Sequence, residues 1–188
     1  MSILFWVGAG LSQASGVPAL PAYEAGSFLL NQQQGWAQFL AWREQVLKCQ
    51  PNRGHEILRQ LQQERGVRIV TLCQDGLLQR AGCQALELHG NGFAERMLGA
   101  ARRPDVIWSG EELDQARVRQ AQEWIERSSL VVVVGTSSTV QPGCDMPLKR
   151  RGRLIEINLV DTPLSPRCDE CWRGRAEELL ERFLEEAP

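Results

Sequence analysis

Six short apolar runs punctuate this chain, at residues 3–7 (ILFWV), 68–71 (RIVT), 85–88 (ALEL), 105–108 (DVIW), 130–135 (LVVVVG) and 153–158 (RLIEIN). Each is rich in Val, Ile or Leu, and most stop at Gly, Asn, Asp or Ser. Near-continuous apolar runs of this length fit strands covered on both faces, as in a parallel sheet. Between several of them the pattern turns helical, at 36–48 (WAQFLAWREQVLK), 55–65 (HEILRQLQQER), 111–127 and 175–186. Apolar residues there recur every three or four positions among good helix formers. Strands alternating with helices predict a doubly wound α/β sheet with helices on both faces. Ligands of such sheets bind beyond the carboxyl ends of the strands, and the unusual residues of this chain collect at those ends.

Composition narrows the class without naming a ligand. A chain of 188 residues supports one domain with a real core. Apolar residues make up 43% and charged residues 23%, as in ordinary globular proteins. The net charge of −2 gives no electrostatic reason to expect nucleic acid or an anionic membrane as partner. No apolar run approaches the ~20 residues of a membrane span. The opening MSILFWVGAG has no basic segment and runs straight into a glycine turn, so it reads as a buried first strand rather than a leader. The six cysteines are then expected as free thiols in a reducing, cytoplasmic setting. The sequence carries no indication of oligomeric state.

The stretch VGAGLSQASGVPALP follows the first run directly. Gly8 and Gly10 allow a tight turn and a close approach of backbone to a pyrophosphate. A helix beginning near Leu11 and Ser12 would aim its free N–H groups at such a ligand. Ser12 and Ser15 could cap that helix or donate to phosphate oxygens. A strand-to-helix turn that binds nothing is the plainer alternative. The carboxylate expected about 20 residues onward for a ribose is not evident, although Glu24 is nearby.

Several separated motifs then agree. Residues 8–12 (GAGLS) and 15–18 (SGVP) resemble the GAGxS…SGIP opening of the sirtuins, the NAD-dependent protein deacylases. PNRGH at 51–55 is similar to the family's PNxAH, TLCQDGL at 71–77 to its TQNxDxL, and ELHG at 87–90 to the segment holding its catalytic histidine. PDVIWSGE at 104–111 resembles RPxVVWFGE, and GTSSTVQP at 135–142 resembles GTSxxVxP. EIN at 156–158 and TPL at 162–164 are similar to the closing strand and turn. The motifs keep family order over almost the whole chain.

The resemblance implies a single domain: a Rossmann-like core at about 1–20 and 66–188, and a small helical insertion at about 21–65. It implies NAD contacts from Gly8, Ala9, Gly10, Ser12, Gly16, Pro18, Asp75, Gly135, Thr136, Ser137, Asn158, Leu159 and Cys168. Phosphates would lie on 8–12, adenosine near Gly135, Ser137 and Asn158, and nicotinamide near Asp75. The implied reaction breaks the bond between nicotinamide and ribose while an acyl-lysine oxygen captures the sugar carbon. His89 is the implied general base on a ribose hydroxyl, and an imidazole pKa near ~6.5 suits that task. Asp75, and Cys73 at the place of the family's asparagine, complete the implied catalytic set. The implied partner is an acyl-lysine protein or peptide. An NAD glycohydrolase or ADP-ribosyltransferase, or a non-catalytic NAD or ADP-ribose binding module, are the alternatives.

The chain also departs from the family. Leu72 and Cys73 stand where TQN has Gln and Asn, Leu20 and Pro21 where Phe-Arg follows SGIP, Leu78 at the final His of DxLH, and Ser109 at the Phe of FGE. Sirtuins carry two Cys-x-x-Cys pairs between the catalytic HG and the PxVVW strand, whereas residues 91–103 (NGFAERMLGAARR) hold no cysteine. Cys168 and Cys171 form a single pair elsewhere, and a tetrahedral site built on them would need distant ligands. No metal is therefore expected. Glu111 is expected to start a helix, His55 to be structural, and Trp36, Phe39 and Trp42 to pack the helical insertion.

Overall fold

A computed structural model describes residues 2–21, 25–108, 110–139 and 143–186. Glu24, Ser109 and residues 140–142 lie outside them. The elements run β1 (Ile3–Val7), α1 (Gly10–Gln13), α2 (Ala25–Leu30), α3 (Gln32–Lys48), α4 (Arg53–Arg65), β2 (Arg68–Thr71), α5 (Leu77–Arg80) and β3 (Leu86–Glu87). They continue as β4 (Gly90–Leu98), β5 (Ala101–Val106), α6 (Gln115–Arg127), β6 (Leu130–Val134), β7 (Arg153–Asn158), β8 (Glu170–Arg173) and α7 (Ala176–Glu186). No described helix is long and apolar enough to cross a membrane.

Six strands form one sheet in the order β3-β2-β1-β6-β7-β8, and every neighbouring pair is parallel. The chain moves outward one way from β1 to β2 and β3, then crosses to β6 on the other side. The order therefore reverses between β1 and β6, the switch point at which open α/β sheets bind ligands.

Alternation along β1 divides the core. Ile3, Phe5 and Val7 face α4 and α7, packing with Leu58, Leu61, Leu180 and Phe183. Leu4 and Trp6 face the other way, with Ala121 and Ile125 of α6. Burying a side chain of this kind contributes about 1.5–3 kcal/mol, so the doubly covered sheet is where most of the fold's stabilisation lies.

The run at 105–108 is not a strand of this six-stranded sheet. Its first two residues end β5, which pairs antiparallel with β4 in a separate hairpin, and Trp108 turns inward onto Phe28 with ring centroids 4.8 Å apart. The sixth sheet strand is β8 (ECWR), an edge strand buried only in part, so its side chains carry no continuous apolar run. The runs at 68–71 and 153–158 form strands with the expected bounds, while 85–88 contracts to Leu86–Glu87 and 130–135 stops at Val134.

The helix expected at 111–127 begins at Gln115, because the Asp114 carboxylate accepts from the N–H groups of Ala116 and Arg117. Helix α3 begins upstream of expectation at Gln32, where the Asn31 side chain accepts from the Gln34 N–H.

Helices α2 and α3 pack against the hairpin through Phe28, Phe39, Trp42, Val46, Val106 and Trp108. Phe39 and Trp42 are buried and Trp36 half-buried, so these rings pack α3 into the cluster with Phe28, Val106 and Trp108. Arg43 fastens α3 to the hairpin: its Nε donates to the Gly92 carbonyl at 2.6 Å, and its guanidinium lies 5.4 Å from the Phe39 ring.

Candidate active site

Beyond the carboxyl ends of the strands lies a cleft of about 1020 Å³. Its floor is glycine by necessity. A Cβ added to Gly8 would sit 2.6 Å from Thr136 Cβ, and one on Gly10 would sit 2.6 Å from the Gly135 carbonyl oxygen. The β1 and β6 loops thus touch backbone to backbone, tied by Gly8 N–H to Val134 O at 2.8 Å and Gly10 N–H to Gly135 O at 2.7 Å. Gly135 itself takes φ +59°. The glycines first let two protein loops meet; the exposed strip they leave is bare backbone.

Helix α1 has only four residues, and the Leu11 and Ser12 N–H groups bond back to Gly8 and Ala9. The serines do not cap it, because its N-cap is Ala9. Ser12 is instead buried with its hydroxyl 3.4 Å from His55 Nε2, and the Ser15 hydroxyl accepts from Asn52 Nδ2 at 3.0 Å.

At β7, Asn158 bridges two loops: its Nδ2 donates to the Thr136 carbonyl at 2.7 Å and its Oδ1 accepts from the Leu159 N–H at 2.9 Å.

His89 enters from the far side. It follows β3 in the turn into β4, is 6% exposed, and lines the cleft. Its carbonyl accepts from Gln74 Nε2 at 3.1 Å and from the Ile107 N–H at 2.9 Å, which fixes the backbone that carries the imidazole. The next residue must be glycine: Gly90 has φ +81°, and a Cβ there would lie 2.0 Å from the Asp105 carbonyl oxygen. The ELHG spacing therefore delivers the imidazole and starts the hairpin in one turn.

Gly8, Ala9, Gly10, Gly135, Thr136, Ser137, Asn158, Leu159 and His89 line this one cleft. Ser12, Gly16, Pro18, Cys73, Asp75 and Cys168 are not among its lining residues. Several of the latter form a buried polar layer behind it. His55 caps α4 jointly with Asn52, whose backbone N–H donates to His55 Nδ1 at 3.2 Å. Burial holds the His55 imidazole down to about 4, against the pull of the nearby Asp75 charge and the Asn52 hydrogen bond. Burial, aided by Asp75, pushes the Cys73 thiol up to about 12, although the Thr71 and Ser12 hydroxyls hold it down in part. Cys73 is thus a neutral thiol at physiological pH. The Asp75 carboxylate accepts from the Leu77 N–H at 2.8 Å, just ahead of α5, whose N-cap is Gly76. Pro18 supplies its carbonyl to Trp42 Nε1 at 3.1 Å, and the Cys168 thiol lies 3.4 Å from the Leu164 carbonyl.

Sequence reasoning missed Gln74, Trp108 and the wall at 160–163, all of which line the cleft. Gln74 had a signal, an amide between two motif residues, and its structural role is the bond to His89. Trp108 owes its position to Arg103, a fully buried guanidinium 3.7 Å from the indole centroid. Arg103 forks onto Glu111, with Nη2 to Oε2 at 2.9 Å, and donates to the Val106 carbonyl at 2.7 Å. Burial pushes the Glu111 carboxyl up, but Arg103, the Trp108 N–H and Arg96 outweigh it and hold the carboxyl below its usual range. Glu111 is a hairpin anchor rather than a helix start. A second hollow of about 530 Å³ beside β3 contains none of the expected site residues.

A glycine-floored cleft at the switch point of a parallel sheet defines the Rossmann-like class of nucleotide-binding folds. No family model matches the chain. It is 30% identical to NAD-dependent protein deacylase 1 of Archaeoglobus fulgidus, over 94% of this chain and 89% of that protein. A solved complex of a point mutant of a Sir2 homologue with ADP-ribose superposes with a TM-score of 0.89 at 27% identity, covering 98% of this chain and 90% of the other. A Sir2 structure holding an inhibitor, 2′-O-acetyl-ADP-ribose and a deacetylated p53 peptide superposes at 0.88 with 25% identity, covering 98% and 93%. The chain belongs to the sirtuin family of NAD-dependent protein deacylases.

Proposed function

We propose that this protein removes acyl groups from lysine side chains at the expense of NAD, with His89 as the general base. One observation carries the reading: His89 lines the same cleft as the glycine floor and Asn158, although the three come from different strands. The cleft residues fit a dinucleotide, because the floor at Gly8, Gly10 and Gly135 is backbone with no room for a side chain. In this reading Gly8, Ala9 and Gly10 lie along the phosphates, and Gly135, Thr136, Ser137, Asn158 and Leu159 hold the adenosine end. NAD supplies the electrophilic sugar carbon and the acceptor for the acyl group. His89 takes the proton of a ribose hydroxyl, held in place by the two bonds to its carbonyl. Trp108 and Ile107 wall the side on which an acyl-lysine enters and keep water out, and holding the reacting groups together supplies several kcal/mol. Asp75 and Cys73 act from behind the floor by shaping the loop after β2. A reducing cytoplasm is the setting proposed for a chain with six cysteines.

The test is purified protein with NAD, with and without an acetyl-lysine peptide, while nicotinamide and O-acetyl-ADP-ribose are quantified. Both products should appear only with peptide, and His89→Ala should lower turnover about 10²–10⁴-fold. Equal nicotinamide release without peptide would identify an NAD glycohydrolase instead. Tight NAD binding with no release would identify a binding module.

A further inference from the structure

Behind the outer wall of the cleft lies a group of side chains that the deacylase reading does not use. Glu156 in the middle of β7, Cys168 and Cys171 bring a carboxylate oxygen and two sulfurs within 4.8 Å of one another. The two cysteines are three residues apart, and the third ligand comes from a neighbouring strand. A tetrahedral ion about 2.3 Å from each thiolate places the sulfurs about 3.8 Å apart, so closure around an ion needs a movement on the order of 1 Å at most.

The carboxylate is prepared for such a role. Glu156 is fully buried and accepts from Thr162 Oγ1, from Ser165 Oγ and from Arg173 Nη2, the last at 2.8 Å. A carboxylate offers about four lone-pair positions, which leaves one. A divalent ion would offset most of the negative charge of two thiolates and a carboxylate, and Arg173, which Glu156 shares with the exposed Asp161, adds to it. Two sulfurs and one oxygen select a thiophilic ion over magnesium or calcium. Cys171 is exposed, which gives an entry path and a solvent position for a fourth ligand.

We propose that Glu156, Cys168 and Cys171 bind one thiophilic divalent cation of the zinc class, with water as fourth ligand. The site lies outside the segment where sirtuins carry their paired cysteines. It is mechanically joined to the cleft, because Thr162 bonds Glu156 and also lines the cleft wall.

The test is a cobalt(II) titration of the reduced, metal-stripped full chain, followed by zinc competition against a chromophoric chelator. One equivalent of cobalt should produce thiolate-to-metal charge-transfer absorption, and zinc should displace it. Cys168→Ser and Cys171→Ser should each weaken binding by more than the ~10–100-fold that loss of an outer-shell partner costs. Zinc should raise the melting temperature of the parent protein and leave that of the double serine variant unchanged. Circular dichroism of Cys171→Ser, a change at an exposed position, guards against loss of fold. Absence of the charge-transfer band, or a band of equal strength in the double variant, overturns the proposal.

Discussion

The sheet and the module beside it are stabilised by different means. In the sheet, burial follows a rule of alternation: neighbours on one strand face opposite helix layers, and the residues concerned are mostly aliphatic. In the module of α2, α3 and the β4–β5 hairpin, six buried residues carry the core among the described residues, four of them aromatic. A buried guanidinium and its carboxylate complete it. Apolar area accumulates over many interchangeable positions in the first region. In the second, a few irreplaceable contacts set the geometry. The candidate cleft lies between them, with its floor from the sheet and Trp108 from the module.

The strongest test of this contrast pairs Phe5→Ala with Phe39→Ala. Each removes a fully buried ring and should cost about 3–5 kcal/mol. Chemical denaturation should show Phe5→Ala lowering one global transition. Hydrogen exchange of Phe39→Ala should show α3 and the hairpin opening while β1 and β6 keep their protection. Equal loss of protection in both regions would make them one cooperative unit.

Glu111→Gln leaves the Arg103 charge buried with its partner gone, a change that costs roughly 3–5 kcal/mol when a buried pair is broken. The loss should again appear first in hairpin amides, and Trp108 fluorescence should shift. Replacing both partners, as Arg103→Met with Glu111→Gln, should recover part of the stability.

The seam between sheet and cleft is sensitive to pH through His55. Its folded pKa, about 4, lies below the unfolded value of 6.5. Above 6.5 the imidazole is neutral in both states and its contribution is fully present. Between 6.5 and 4 the unfolded chain binds the proton first, so stability falls as the medium is acidified, by up to roughly 3 kcal/mol. Melting temperatures taken across that window should drop in the parent protein and drop less in His55→Asn.

The smallest effect is expected at the other half of the same cap. Asn52→Ala removes the side chain that accepts from the Gly54 N–H at 3.0 Å. It should cost about 1 kcal/mol, measured by urea denaturation, with little change in the hairpin.

Legibility followed the same division. Strands at 3–7, 68–71 and 153–158 could be read from their apolar runs because each is covered on both faces. The edge strand at 170–173 could not, since half-buried positions do not demand aliphatic side chains. DVIW at 105–108 misled for the converse reason: an apolar run reports burial, and burial against Phe28 and Arg103 in a hairpin looks the same as burial in a sheet. Gly8, Gly10 and Gly135 were legible as special positions, but the close meeting of two loops that requires them was not. Glu111 resembled a helix start because its partner, Arg103, lies eight residues upstream, beyond any local pattern.

What the order of residues determined alone is the alternation of strands and helices, the placement of unusual residues at strand ends, and the ordered motifs of the sirtuins. These depend on local periodicity and on residue identity. Only the folded chain decided that Ser12 and Asp75 retire into a layer behind the cleft, that Trp108 and residues 160–163 wall it, and that Glu156 meets two cysteines. Such meetings are made by strand order and crossover between residues distant in sequence, and short-range periodicity carries no record of them.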